Sequence, residues 1–130
     1  MSGGDDSNLI GDCPPGLGID LIEIKRIEAA LERHPRLAER LFTGGELAYA
    51  RARRRPGRHL AARFAAKEAA IKALGGGVAP REVEIVGSAP PRLQLHGRAA
   101  ALARDRALEL DVSLTRSREL AAAVVTRRQT

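Results

Sequence analysis

From Gly16 the chain reads Gly-Leu-Gly-Ile-Asp-Leu-Ile-Glu-Ile, an apolar, partly β-branched run that alternates around one carboxylate, Asp20. That pattern predicts a strand over 16–24, buried on at least one side. Ile27, Ala30 and Leu31 then fall at helical spacing and predict a helix over 25–33, and a second short helix over 36–41 follows Pro35. Thr43-Gly44-Gly45-Glu46 has the form of a capping box, in which threonine and glutamate satisfy free backbone donors at the start of a helix, here 44–53. Pro56-Gly57 interrupts it. The Ala-rich run with Leu60, Phe64 and Ile71 predicts the longest helix, over 58–74, stopped by Gly75-Gly76-Gly77. Beyond it lie strand patterns at 83–86, 92–95, 112–114 and 121–126, a helix pattern at 98–110, and a turn at Pro90-Pro91. Hairpin strands with interspersed helices argue for an α+β fold around an antiparallel sheet rather than a doubly wound one.

Length changes the picture little, since 130 residues suit one compact domain, 16–130, with no internal repeat or linker. Residues 1–15 are a polar leader with Asp5, Asp6 and Asp12. They lack the basic start and apolar stretch of a signal peptide or membrane anchor and are expected to form a disordered tail. Phe42, Tyr49 and Phe64 are the whole aromatic set, so the core must be built from Leu, Ile, Val and Ala. Self-association would help so small a core. A single cysteine, Cys13, closes no intrachain disulfide and matches a reducing cytoplasm. The net charge of +6 is concentrated between Lys25 and Arg58, where ten basic residues face four acidic ones. Such a field steers a polyanion or an acidic protein toward the chain. Without an aromatic platform on which bases can stack, nucleic acid is the poorer candidate.

Candidate chemistry is confined to three places. On the longest helix Glu68 and Lys72 stand four apart, as do Arg63 and Lys67, so charges line neighbouring stripes. By itself this spacing is a routine surface feature. The glycines that follow are either a helix stop or a backbone that can approach a phosphate closely. Asp20 is either solvent-facing or a ligand. Magnesium takes hard oxygen donors, commonly one or two carboxylates with phosphates and water, and Asp20 and Glu68 supply that pair if strand and helix pack together.

Gly18-Ile19-Asp20 with Glu23 and Arg26, followed by Phe64-Ala65-Ala66-Lys67-Glu68-Ala69 and Lys72, resembles the short acyl carrier protein synthase family of phosphopantetheinyl transferases. Thr43-x-x-Glu46, Val112-Ser113-Leu114-Thr115 and Ala121-Ala122-Ala123-Val124-Val125 also look like the family's pattern, so the resemblance runs from Gly16 to Thr126. It implies the α+β fold of the 4′-phosphopantetheinyl transferases, assembled as a homotrimer with coenzyme A in clefts between subunits. It further implies transfer of the 4′-phosphopantetheine arm of coenzyme A to a serine of an apo acyl carrier protein. On the family pattern Asp20 and Glu68 bind magnesium, and Glu68 and Lys72 carry the chemistry. Arg63, Lys67, Lys72, Gly75, Gly76 and Gly77 lie near the phosphates of coenzyme A, and Arg26, Arg33 and Arg36 meet the acidic helix of the carrier. The chain departs from the pattern at Thr115-Arg116, where the family usually has serine or threonine and then histidine near coenzyme A. An arginine there still pairs with phosphate through its planar fork but does not titrate near neutral pH. His34, His59 and His96 have no ligand spacing and read as surface or structural residues. Two alternatives stay open: a family member narrowed to one polyketide-type carrier or inactive, and a basic nucleic-acid-binding module. Neither a membrane nor a nucleic acid is the expected partner.

Overall fold

A computed structural model describes residues 16–130, so the readings of residues 1–15 and Cys13 lie outside the described residues. The apolar run after Gly16 forms β1 (Leu17–Glu23), and the chain turns directly into α1 (Ile24–Arg33), α2 (Leu37–Leu41) and α3 (Gly44–Arg51). The capping box is present: the Glu46 amide donates to Thr43 Oγ1 and the Thr43 amide donates to Glu46 Oε1. The long helix α4 (Pro56–Ala73) begins two residues earlier than its pattern suggests. Pro56 does not break it but occupies its first turn, where a missing N–H costs nothing. Arg55, just before it, adopts a left-handed φ of 49° and is held by a bidentate pair with Glu28 at 3.0 Å.

The second half holds β2 (Val83–Val86), β3 (Arg92–Leu95), α5 (Gly97–Asp105), β4 (Leu108–Arg116) and β5 (Leu120–Gln129). Two antiparallel sheets form rather than one: β1-β5-β4, and the β2-β3 hairpin. The helix expected over 98–110 is a correction. It stops at Asp105 because Ala107 takes a left-handed φ of 53°, and from Leu108 the apolar period is two. Leu108, Leu110, Val112 and Leu114 turn inward while Glu109, Asp111, Ser113 and Thr115 face out, so these residues extend β4 well beyond the three expected.

Alanine sets how close the layers come. α4 presents Ala65, Ala66, Ala69, Ala70 and Ala73 to Ala123 and Val125 of β5, all buried. Facing methyl groups let the helix backbone lie almost on the sheet. Gly18 of β1 is the point of closest approach: a Cβ there would overlap the carbonyl of Ala69 and crowd the Ala73 amide. Because those atoms are backbone, no rotamer change relieves the clash. Gly18→Ala is expected to destabilise the fold by about 1–3 kcal/mol, the usual cost of overpacking, read as a lower urea midpoint at unchanged slope.

Candidate functional site

Strand alternation decides which side of β1 meets α4. Gly18 and Ile22 lie on the helix side and Asp20 with them, whereas Ile19 and Leu21 point to the open side and are 57% and 65% exposed. The carboxylate is therefore on the covered face and the large apolar side chains are not, the reverse of an ordinary half-buried strand. Across from Asp20, one stripe of α4 carries Phe64, Glu68 and Lys72 at successive turns.

The two elements meet through Lys72, whose Nζ donates to the Ile19 carbonyl at 2.9 Å and to Asp20 Oδ1 at 3.3 Å. Glu68 stands beside this pair. Burial pushes its carboxyl up from the ordinary value, the Asp20 charge pushes it further, and Lys72 partly offsets both. Asp20, Glu68, Phe64, Arg26 and Leu120 line a groove of about 520 Å³. Two carboxylates held close, one of them reluctant to ionise, form a site that gains from a cation. Asp20, Glu68 and Lys72 are thus brought together, and Arg26, expected to meet the carrier, also lines the groove. Arg33, two turns beyond Arg26, and Arg36 are exposed further along the same end of the molecule.

Lys67 is not at this site. It is fully buried, and its ammonium donates to Glu46 Oε1 at 2.7 Å, to the Val83 carbonyl at 2.6 Å and to the Pro80 carbonyl at 2.9 Å. One position along a helix turns a side chain by roughly 100°, which sends Lys67 under β2 while Glu68 faces the groove. With all three donors engaged it has none left for a phosphate. Gly75 and Gly76 are likewise occupied: Gly76 donates to the Ile71 carbonyl and Gly75 to the Lys72 carbonyl, the bonding pattern of a Schellman cap. Their amides close the helix. Arg127 and Arg106 add donors to the Ala73 and Leu74 carbonyls. Gly77 lies past the cap, at a left-handed φ of 80°, with nothing within 4 Å of where a Cβ would stand.

A second cluster is built around Arg63. This side chain is 3% exposed, stacks on the Tyr49 ring with Cζ 3.8 Å from its centroid, and donates to the Gly87 carbonyl. Arg53 also stacks on Tyr49, at 3.4 Å. His59 packs edge-on against the same ring, and Arg58 and Arg116 complete the group. Burial and these four guanidiniums hold the imidazole of His59 below its ordinary value. Tyr49 is lowered too: its burial opposes this, but a Ser88 hydrogen bond and the charges of Arg63 and Arg53 prevail. Nε of Arg58, Arg63 and Arg116 and Nδ1 of His59 are buried without a hydrogen-bond partner. Such a concentration of guanidiniums without paired carboxylates suits an anion. The sequence reading named Arg63 and Arg116 but missed Tyr49, Arg53, Arg58 and His59; the only available signal was the basic surplus between α3 and α4. Thr115, exposed on β4, precedes Arg116.

Residues 16–125 match the family model described as the 4′-phosphopantetheinyl transferase superfamily. The holo-[acyl-carrier-protein] synthase of Moorella thermoacetica is 51% identical over 113 residues, covering 82% of this chain and 88% of the relative. That of Streptomyces griseus is 49% identical over 115 residues, covering 85% and 94%. Among solved structures, a holo-(acyl-carrier-protein) synthase from Bacillus anthracis in complex with CoA (3′,5′-ADP) is similar with a TM-score of 0.73 at 31% identity, covering 88% of this chain and 96% of that one. With an Asp20–Glu68–Lys72 groove, the expected α+β architecture and a family match that spans nearly all the described residues, this chain belongs to the 4′-phosphopantetheinyl transferase superfamily.

Proposed function

We propose that this chain transfers the 4′-phosphopantetheine arm of coenzyme A to a serine of an apo acyl carrier protein, releasing adenosine 3′,5′-bisphosphate. The observation that carries this reading is the meeting of Asp20 and Glu68 at one groove, with Lys72 paired to Asp20. Support comes from relatives named holo-[acyl-carrier-protein] synthase and from a structural neighbour that holds CoA.

Magnesium fits the groove. The donors are two hard carboxylates, and phosphate oxygens and water ordinarily fill the remaining positions. A third protein ligand is not required, and among the described residues no group of three or more His, Cys, Asp and Glu is placed to hold a metal. Bound there, magnesium would neutralise charge on the pyrophosphate oxygens. Asp20 and Glu68 would hold the ion. Lys72, whose side chain is 47% exposed, offers its ammonium to the charge that develops on the departing bisphosphate. Glu68, directly or through water, takes the serine proton. As the serine oxygen bonds to the β-phosphorus, the bond from that phosphorus to the bridging oxygen breaks, and the bridging oxygen leaves with the α-phosphate.

Coenzyme A carries a phosphomonoester as well as a pyrophosphate, and the Arg53, Arg58, Arg63 and Arg116 cluster suits it. Arg63 and Glu68 point roughly 140° apart around α4, so one ligand reaches both only if the groove of one copy faces the cluster of the next. Ile19, Leu21 and Leu120, 57%, 65% and 41% exposed on the open side of the sheet, favour such self-association. We therefore place coenzyme A between neighbouring copies of a homotrimer, with Gly77 and Thr115 near its phosphates and Arg26, Arg33 and Arg36 meeting the acidic carrier. The same reading places the protein in the cytoplasm. No helix among the described residues is long and apolar enough to cross a membrane.

Intact-protein mass spectrometry of an apo acyl carrier protein incubated with this chain, coenzyme A and magnesium tests the reading directly. A gain of the phosphopantetheine mass that disappears with a chelator is expected. No gain on several carriers, with coenzyme A binding intact, would leave a narrowed or inactive family member; no binding either would end the transferase reading.

A further inference from the structure

The basic cluster contains one imidazole, His59, and nothing in the transfer mechanism uses it. His59 is the fourth residue of α4. Every charged or titratable side chain identified around it is a base or a phenol: Tyr49 from α3, Arg53 from the α3–α4 connection, Arg58 and Arg63 from α4, and Arg116 from β4. Among the described residues no carboxylate forms an ion pair with any of these arginines. The nearest acid acting on Arg63 is Glu46, which is 1% exposed and spent on Lys67, the Thr43 amide and the Ile85 amide. His59 Nδ1 is buried and unpartnered, as are three guanidinium nitrogens of the cluster.

We propose that His59 couples anion binding at this cluster to proton uptake, so that affinity for the phosphomonoester of the nucleotide substrate rises as pH falls through the neutral range. The inference rests on the reading of the chain as a coenzyme A-dependent transferase. Before binding, four cations and partial burial oppose a fifth positive charge, and the imidazole is neutral. A bound phosphate brings up to two negative charges and three acceptor oxygens. It offsets up to half of the guanidinium charge around the ring, and protonation then turns both ring nitrogens into donors. The sign follows from linkage: between the low proton affinity of the free site and the higher one of the loaded site, association takes up a proton. His59 is a positioning and proton-coupling residue, distant from the bond that breaks.

Calorimetric titration of the full chain with adenosine 3′,5′-bisphosphate, in two buffers of different ionisation enthalpy from pH 6 to 8.5, reads the proton count. Wild type should show net proton uptake across part of that range, its affinity falling by up to tenfold per pH unit there. His59→Gln, neutral throughout, should show no uptake, leaving only the small proton release that follows when a cationic site selects the phosphate dianion. Equal uptake in wild type and variant would overturn the inference while leaving the function intact. Absence of binding of both bisphosphate and coenzyme A to wild type would instead bring down the functional reading. Should the variant fold poorly, nitrogen chemical shifts of the His59 ring in wild type decide: a change from neutral to protonated imidazole on adding bisphosphate supports the coupling, and an unchanged ring refutes it.

Discussion

Glu68→Gln is expected to lower the rate of phosphopantetheine transfer by about 10²–10³-fold, the range seen when one preorganised electrostatic group is removed from an active site. Glutamine keeps the shape of the side chain and its packing beside Phe64 and Ile22, so the loss is one of charge. Without that charge Asp20 loses the carboxylate beside it, and Asp20 is already engaged by Lys72. Metal affinity should fall with turnover, and the apparent magnesium requirement should rise. Binding of adenosine 3′,5′-bisphosphate should change much less, because the guanidinium cluster lies on another face of α4. Stability should move the opposite way. Burial and Asp20 raise the Glu68 carboxyl above its unfolded value, so the folded state binds the proton more tightly. The associated stability is present below the unfolded pKa and lost as pH rises through the folded one. At neutral pH without magnesium, the glutamine variant should therefore be at least as stable as wild type, a familiar exchange of stability for function. Wild-type turnover together with wild-type magnesium dependence would remove Glu68 from both of its roles.

Lys67→Met should act on the fold and spare the chemistry. Removing one partner of a buried ion pair leaves the other charge uncompensated, at a cost of about 3–5 kcal/mol. That is a large share of the roughly 5–15 kcal/mol that holds a domain of this size together. Glu46 would be the stranded charge, 1% exposed and still accepting from the Thr43 and Ile85 amides. Lys67 also ties α4 to β2 through the Val83 carbonyl, so two carbonyl acceptors lose a donor as well. A Lys67→Met and Glu46→Gln double variant should recover part of the loss, which a double-mutant cycle in urea measures as coupling between the two sites. Per folded molecule, the Michaelis constant for coenzyme A should stay within about threefold of wild type, well under the tenfold that 1.4 kcal/mol of lost binding would give. If instead stability were unchanged and that constant rose tenfold or more, Lys67 would be a phosphate ligand as the family resemblance implies, and the buried pair would lose its structural role.

The contrast between Lys67 and Glu68 shows where reading a sequence stops. Both sit in the same motif, and both carry charge on a helix whose existence is plain from its alanines and its glycine stop. Spacing along α4 groups Glu68 with Lys72 and Lys67 with Arg63, but which stripe faces a groove depends on what packs against each. β2 covers Lys67, whereas Lys72 reaches β1 and keeps its side chain 47% exposed. The histidines illustrate the same limit from the other side. His59 looks like an isolated surface residue until β4 brings Arg116 beside it from far along the chain.

Local chemistry wrote much of the fold into the chain. The capping box at Thr43 and the triple glycine after α4 act within a few residues of themselves and are legible there. So is the period-two pattern from Leu108, although an adjoining helical stretch disguised it. The α+β class and the membership of Asp20 and Glu68 in one candidate site also came from sequence, through pattern and through family resemblance. Tertiary structure decided the rest. It placed Asp20 on the covered face of β1 and left Ile19 and Leu21 exposed, consumed the amides of Gly75 and Gly76 in a cap, buried Lys67 against Glu46, and gathered four arginines around His59. The physical reason is range. Capping, turns and periodicity are set by neighbours along the chain, whereas burial, proton affinity and the pairing of charges are set by neighbours in space, here brought together by small residues that let α4 lie close on the sheet.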